Sequence, residues 1–152
     1  MSDEANVIID NKEWKKPLPN IDHDNREFWE GLSQHKLLLF QCKKCSAWYW
    51  PKSYCQNWDC NEAFAANIEM VEGSGKGKVF AFNVHHMVFH PGFKDDVPYC
   101  YALIELDEGP LISAMLLGSH PDDVHNVGQP VEIVYEDHPK EGFTIPRFRI
   151  IQ

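Results

Sequence analysis

The sequence predicts a mostly β protein with one N-terminal helix, a small cysteine-rich ribbon and a five-stranded barrel. Four of the five cysteines fall within nineteen positions, from Cys42 to Cys60. Apolar residues at helical spacing precede them, and short apolar runs separated by glycine and proline turns follow them. The predicted boundaries are an extension over 1–22, a helix over 23–36, the ribbon over 37–64 and the barrel over 65–152.

The composition describes an acidic chain of ordinary domain size. Its 152 residues include 14 basic and 23 acidic side chains, for a net charge of −9. Proteins that bind phosphate backbones usually present a basic face, so nucleic acid is a disfavoured partner. The odd number of cysteines, four of them in a metal pattern, favours a reducing compartment. No apolar run reaches membrane-spanning length, and we expect a cytoplasmic protein that does not enter a membrane.

The first 22 residues are polar and contain the run Pro17-Leu18-Pro19, which favours an extended chain. We expect a disordered tail in the isolated chain. The alternative is an arm that lies on a partner through Trp14.

The helix predicted next is short. Asp22 or Asp24 can cap it, and Phe28, Trp29 and Leu32 are spaced to share one apolar stripe. A strand over 37–41 then leads into the first pair of cysteines.

The cysteines follow the pattern Cys-x2-Cys, nine residues, Cys-x4-Cys. Pairs of cysteines two to four residues apart bind tetrahedral Zn²⁺, and two such knuckles make a rubredoxin-like zinc ribbon. Disulfides or buried free thiols are the alternatives. Four thiolates leave no position for water or substrate, so we expect one structural zinc per chain and no catalytic residue at this site. The predicted ligands are Cys42, Cys45, Cys55 and Cys60.

Lysines and aromatic residues surround the cysteines. The lysines can offset the net negative charge of a four-thiolate zinc site. A ribbon of about twenty residues cannot bury all the rings itself, so they either pack on the rest of the chain or serve as interface residues. The rings are those of Trp48, Tyr49, Trp50, Tyr54 and Trp58, and the lysines are Lys36, Lys43, Lys44 and Lys52.

The remainder of the chain has the pattern of strands and turns expected of a small, partly open barrel of OB type. Five strands are predicted, over 65–72, 78–88, 99–106, 111–117 and 131–136, with a last short edge strand over 146–151 and one helical turn at 121–124.

Several other motifs look chemical but are better explained structurally. The glycine-rich run at 73–78 lacks phosphate-loop spacing and precedes a strand, so it predicts a turn or bulge. His85 and His86 face opposite sides of a strand, so they cannot easily bind one ion together. No carboxylate stands at a familiar metal-binding spacing from them or from His90, so we expect no metal site at these histidines. Cys100 shares a strand face with Ala102 and Ile104, so we expect it in the core, where a free cysteine is common.

This layout resembles the DUF35 family, the OB-fold and zinc-ribbon proteins associated with acyl-CoA enzymes. The most characteristic stretch is Tyr-Ala-Leu-Ile-Glu-Leu-Asp-Glu-Gly-Pro at 101–110. In the family the second knuckle is usually Cys-x2-Cys, whereas here Trp58 stands at that position and Cys60 replaces the cysteine. The resemblance covers roughly 24–150, through the four cysteines and the segments 28–32, 37–41, 75–82, 101–110, 127–136 and 146–148.

The resemblance implies a non-catalytic subunit of a hetero-oligomeric complex that processes acyl-CoA thioesters. Its implied partner is a thiolase-fold enzyme, or else an aldolase of the lipid-transfer-protein type or a hydratase, and that partner carries the catalytic groups. A thiolase that cleaves a β-oxoacyl-CoA in aromatic or steroid degradation is the favoured partner.

A further hypothesis concerns the CoA moiety, which is polyanionic. We expect Lys43, Lys44 and Lys52 to bind its phosphates beside Trp48 and Trp50, which could stack on adenine. The runner-up function is a module that binds single-stranded nucleic acid, because barrels and ribbons of this kind both serve that role, although the acidic charge opposes it. A third reading, a stand-alone thioester hydrolase, has no supporting residue spacing.

Overall fold

A computed structural model describes residues 6–51, 54–60, 67–118 and 127–151. Nine strands and one α-helix lie in these ranges. In chain order they are β1 (Val7–Ile9), α1 (Arg26–Ser33), β2 (Leu38–Cys42), β3 (Trp48–Tyr49), β4 (Ile68–Glu72), β5 (Lys76–His85), β6 (Tyr99–Leu106), β7 (Leu111–Leu117), β8 (Pro130–His138) and β9 (Phe143–Ile150). The predicted mostly β class with a helix and an OB-type barrel is confirmed.

Strands β5 to β9 close the barrel. The sheet runs in the order β8-β5-β6-β7-β9, and β9 pairs again with β8. β7 and β9 are parallel, with Leu116 opposite Phe148, and β8 and β9 are antiparallel, with Ile133 opposite Phe148. The predicted edge strand over 146–151 is therefore wrong in its role, because β9 pairs on both sides and closes the barrel.

The segment predicted as the first barrel strand belongs to another sheet. β4 pairs with β2 in a three-stranded sheet of order β3-β2-β4, with Leu39 opposite Val71. A turn at Gly73–Gly75 then leads into β5, and Gly75 has φ +72°, a conformation that favours glycine. The glycine-rich run is thus a turn between two sheets, as predicted, but the prediction that 65–72 enters the barrel is wrong.

The barrel core follows the alternation of the strands. On β6 every second side chain is buried, including Cys100, Ala102 and Ile104. The predicted core position of Cys100 is confirmed. Leu37 and Leu39 join this same core from the β2 segment, so the ribbon sheet and the barrel share one apolar interior.

Helix α1 begins later than predicted. Asn25 precedes it and makes no side-chain cap bond. Asp22 instead accepts the Asn25 N–H at 3.1 Å, and the Asn25 Oδ1 accepts the Asp22 N–H at 2.8 Å, so the two residues form a reciprocal turn. Asp22 and Asp24 are therefore not helix caps, although Phe28 and Leu32 are buried as the stripe predicted.

Residues 6–21, here called the N-terminal arm, lie on the barrel. β1 pairs in parallel with β8 and places Val7 opposite Tyr135. The Trp14 ring meets that of Phe143 edge-on at 5.1 Å. The prediction of a disordered tail is wrong for these residues. The backbone of β8 pairs with β1, and the Phe143 ring provides an apolar surface for Trp14. The helical turn predicted at 121–124 lies outside the described residues.

No helix in the described ranges is both long enough and apolar enough to cross a membrane.

Candidate metal centre

The first knuckle is a tight backbone turn at the end of β2. The Ser46 N–H donates to the Cys42 carbonyl at 2.8 Å, and the Cys42 N–H donates to the Ala47 carbonyl at 2.9 Å. Ser46 has φ +63°, an uncommon left-handed value for a non-glycine residue. This turn folds β2 back into β3 and brings Cys42 and Cys45 to the same side.

The second knuckle reaches the same point by a longer route. A 3₁₀ turn over Trp58–Cys60 is stabilised by Asn57, whose Oδ1 accepts the Asp59 N–H at 3.0 Å. The Cys60 N–H donates to the Asn57 carbonyl, also at 3.0 Å. Cys60 is consequently buried, while Trp58 is 94% exposed. The spacing of four residues between Cys55 and Cys60 therefore still delivers both sulfurs to one site.

The four sulfurs lie close enough together to bind one metal ion. The Sγ atoms of Cys42 and Cys60 are 3.8 Å apart, and those of Cys45 and Cys55 are 3.6 Å apart. Sulfurs placed about 2.3 Å from one Zn²⁺ at tetrahedral corners would be about 3.8 Å from each other. All four lie within 4.8 Å of one another, so the predicted cysteines come together and could hold a metal ion.

The thiols of this cluster have very different proton affinities. Burial raises the pKa of the Cys60 thiol to about 12. A hydrogen bond with the Tyr49 hydroxyl is the main reason that the pKa of Cys55 falls to about 7. Because thiolates are the ligands, a metal that binds here must displace protons, Cys60 above all.

The aromatic residues of the ribbon divide into two groups. The Trp50 ring lies 4.2 Å from that of Phe28, and Trp48 also packs against the shared core. Tyr54 and Trp58 instead face solvent, at 47% and 94% exposure. Trp48 and Trp50 therefore pack on the rest of the chain, as one alternative expected. The interface role expected by the other alternative stays a prediction for Tyr54 and Trp58.

Two of the three lysines proposed for CoA, Lys43 and Lys44, lie on the first knuckle. The Lys43 ammonium lies 3.5 Å from Glu69 Oε2, and its side chain is 58% exposed. Lys44 follows it on the same exposed turn. Lys52 lies outside the described residues. Trp48 and Trp50 are half-buried, so only part of each ring faces outward.

His85, the last residue of β5, and His90, in the loop that follows, have structural contacts. His85 stacks on Tyr99 with ring centroids 4.8 Å apart. His90 Nδ1 accepts the Gly92 N–H at 3.0 Å, which begins a short 3₁₀ turn. In the same loop, Asp96 forms a salt bridge with the N-terminal arm, with 2.8 Å between its Oδ2 and the Lys16 Nζ.

Sequence reasoning missed two residues that shape the cysteine cluster, Tyr49 and Asn57. Strand alternation did place Tyr49 on the face opposite Trp48 and Trp50, and that face is the one turned to the sulfurs. The role of Asn57 had a weaker signal, because asparagine commonly begins turns through its side chain.

Comparison with known proteins finds one matching family model and several similar proteins. The family described as "ChsH2, C-terminal OB-fold domain" matches residues 70–136. A "DUF35 domain-containing scaffold protein" of Methanocaldococcus jannaschii is 32% identical over 116 residues, which cover 75% of this chain and 78% of the relative.

Two further similarities involve larger proteins and complexes. A "Probable enoyl-CoA hydratase alpha subunit" of Thermomonospora curvata is 32% identical over 134 residues, covering 88% of this chain but 40% of the relative, so the chain spans less than half of that protein. A chain in the solved structure titled "Ltp2-ChsH2(DUF35) aldolase" superposes with a TM-score of 0.73 at 30% identity, covering 88% of this chain and 98% of that one.

Proposed function

Because the chain belongs to the DUF35 family, we propose that it is an accessory subunit of a complex that processes acyl-CoA thioesters, without catalytic groups of its own. The names of similar proteins support this: a scaffold protein, the alpha subunit of a hydratase and a component of an aldolase. We propose that it acts in the cytoplasm.

The observation that carries the proposal is the closed cluster of four cysteines beside an exposed tryptophan. We assign one structural Zn²⁺ per chain to Cys42, Cys45, Cys55 and Cys60, whose sulfur spacing suits that ion. When bound, the ion crosslinks two knuckles that are too small to fold on a core of their own. Since four thiolates fill its coordination, the ion has no position left for a substrate. Its role is to stabilise the surface around the two knuckles.

That surface has the character of a protein interface. Trp58 exposes nearly its whole side chain on the second knuckle, and Tyr54 is half-exposed nearby in sequence. Tryptophan and tyrosine are the residues most enriched among interface hot spots. A segment held by metal can present such rings in a fixed orientation, which lowers the entropic cost of docking.

We propose a thiolase as the partner, acting on a β-oxoacyl-CoA. A thiolase needs a pair of reactive cysteines as well as a histidine, and the cysteines of this chain are committed elsewhere. Four of its five cysteines form the metal cluster, and Cys100 is 3% exposed inside the barrel. The nucleophile must therefore come from the larger subunit. A hydratase or an aldolase, the classes printed for the relatives, is the alternative partner.

We also propose that the first knuckle contacts CoA through Lys43, Lys44 and Lys52, with Trp48 and Trp50 beside them. Calorimetric titration of CoA should show weaker binding when all three lysines become glutamine. Unchanged binding would remove the lysines from the proposal, and leave the docking role untouched.

Affinity purification of the tagged full chain from its native host, with quantitative mass spectrometry, tests the docking role. We expect a larger thiolase-type chain in equal amount. A hydratase or aldolase in equal amount would keep the role and correct the partner class. Recovery of the chain with no stoichiometric companion would contradict the proposal.

A further inference from the structure

A second group of metal-binding side chains lies where the N-terminal arm meets the barrel. Glu136 and His138 are two positions apart on β8 and therefore point to the same face. β1 runs parallel beside β8, with Ile9 opposite Asp137, so Asp10 comes next to His138. The Asp10 N–H donates to the Asp137 carbonyl at 2.8 Å and fixes this register.

His138 is buried without the partners that a buried imidazole requires. It is 2% exposed, and it lies between the rings of Trp14 at 4.7 Å and Phe143 at 5.2 Å. Neither ring nitrogen has a hydrogen-bond partner among the described residues. Its Nε2 is 3.7 Å from Glu136 Oε1, too far for a hydrogen bond. Buried polar groups are nearly always paired, so this nitrogen points to an absent ligand.

The surrounding charges favour a cation. Asp10 and Glu136 bring two carboxylates, and Arg147 offsets part of that charge by donating from Nε to Glu136 Oε2 at 2.5 Å. This contact orients the Glu136 carboxylate and leaves its Oε1 facing His138. Hydrogen bonds to ligating carboxylates have the same orienting role in metal sites. The Asp10 Oδ1 also accepts the Lys12 N–H at 2.9 Å, which fixes the carboxylate in the arm.

We propose that Asp10, Glu136 and His138 form a second cation site, which binds a divalent transition metal and fastens the arm to the barrel. One ligand atom from each residue lies within 4.8 Å of the others, so small side-chain shifts bring all three onto one ion. One imidazole with two carboxylates suits Zn²⁺ and its first-row neighbours better than Mg²⁺ or Ca²⁺, which prefer oxygen alone.

The consequence is structural. Trp14 and Lys16 of the arm form one wall of a cavity of about 300 Å³ whose other wall includes Phe93, Tyr99 and Tyr101. An ion at Asp10 would hold this wall in place. The inference does not depend on the proposed function, because it concerns how the arm is attached.

Zinc stoichiometry of the full chain tests the site. After equilibrium dialysis against zinc buffered by a weak chelator, elemental analysis should give two ions per chain. Asp10→Asn and Glu136→Gln should each give one. The matched control is Glu132→Gln, because Glu132 lies on the same strand and pairs with Arg149 at 2.9 Å as Glu136 pairs with Arg147. It should retain two ions.

Trypsin cleavage at the lysines of the arm provides a second measurement. Zinc should slow cleavage several-fold in the unmodified chain and in Glu132→Gln, but not in Asp10→Asn. Asp10 is only half-buried, so this variant should keep its fold, which circular dichroism would verify. Equal zinc content in the unmodified chain and in both site variants would overturn the proposal, whether that content is one ion or two. Nitrogen chemical shifts that show His138 protonated on both nitrogens in the zinc-saturated chain would overturn it as well.

Discussion

The hydroxyl oxygen of Tyr49 lies 3.5 Å from the sulfur of Cys55 and also accepts the Gln56 N–H at 3.0 Å. Tyr49 belongs to β3, which follows the first knuckle, whereas Cys55 and Gln56 belong to the second. One phenol therefore links the two halves of the cysteine cluster. Its proton turned toward sulfur stabilises the thiolate, which is the form that binds metal.

Replacing Tyr49 with phenylalanine should weaken metal binding by roughly tenfold, the lower end of the range for residues that support a metal ligand. Loss of the hydroxyl removes the contact that lowers the pKa of Cys55 to about 7, so that pKa should rise. Protons then compete with the metal at higher pH, and the pH of half-release should move upward. Chelator competition across a pH series measures both effects.

Tyr54→Phe is the matched control for that variant. The Tyr54 hydroxyl accepts only a long contact of 3.4 Å from the Gln56 side chain. Its metal affinity and release pH should equal those of the unmodified protein. Equal release by Tyr49→Phe and Tyr54→Phe would show that the phenol does not support Cys55.

Cys60→Ser should abolish tight metal binding and open the two cysteine knuckles while the barrel persists. The change removes one of four ligands from a site type worth about 10–16 kcal/mol in isolated zinc modules. Cys100→Ser is the control, since Cys100 is buried on β6 away from the cluster, and it should keep its metal. Amide hydrogen exchange should show lost protection at the knuckle amides of Ser46 and Cys60 but not in β8 or β9.

Trp58→Ala should release the partner without affecting the fold. Because the side chain is 94% exposed, the free energy of unfolding should change by no more than about 0.5 kcal/mol. Recovery of the partner in an affinity purification should fall sharply, as expected for a hot-spot residue. Trp50→Ala should behave differently, costing roughly 1–3 kcal/mol of stability through its contact with Phe28. Undiminished partner recovery with Trp58→Ala would place the interface elsewhere.

Phe148→Ala tests the closure of the barrel. Phe148 is fully buried and stands opposite both Leu116 and Ile133, so it joins the two strands that β9 connects. Its truncation should lower the free energy of unfolding by about 3–5 kcal/mol. Leu111→Ala, at 37% exposure, should cost well under half as much. Denaturant unfolding measures both, and similar losses would argue against a closing role for β9.

Local sequence patterns were sufficient to predict β6 and β7, which pair with each other across a short turn. β6 and β7 have the predicted bounds, because apolar alternation and the turn at Glu108–Pro110 define them without outside information. The grouping of the four cysteines was equally accessible, since their spacing is typical of a metal site. The longer second knuckle needed the structure, because Asn57 makes the hydrogen bonds that bring Cys60 inward.

Pairing between distant segments was not accessible from the sequence. Nothing local in 68–72 distinguishes a barrel strand from a partner of β2, and the register of Leu39 with Val71 depends on the whole fold. The same holds for β1, whose three apolar residues lie in an otherwise polar segment and pair with β8. The cluster of Asp10, Glu136 and His138 spans this pairing, so it becomes visible only when the arm is placed.

Turnover of a β-oxoacyl-CoA with added CoA, followed by the disappearance of the substrate, tests the central claim most directly. The assay should be run on this chain alone, on the larger subunit alone and on the two combined. We predict no turnover by this chain, and full activity only when both are present. Turnover by the purified chain alone, lost on substitution of a cysteine in the metal cluster, would contradict the account.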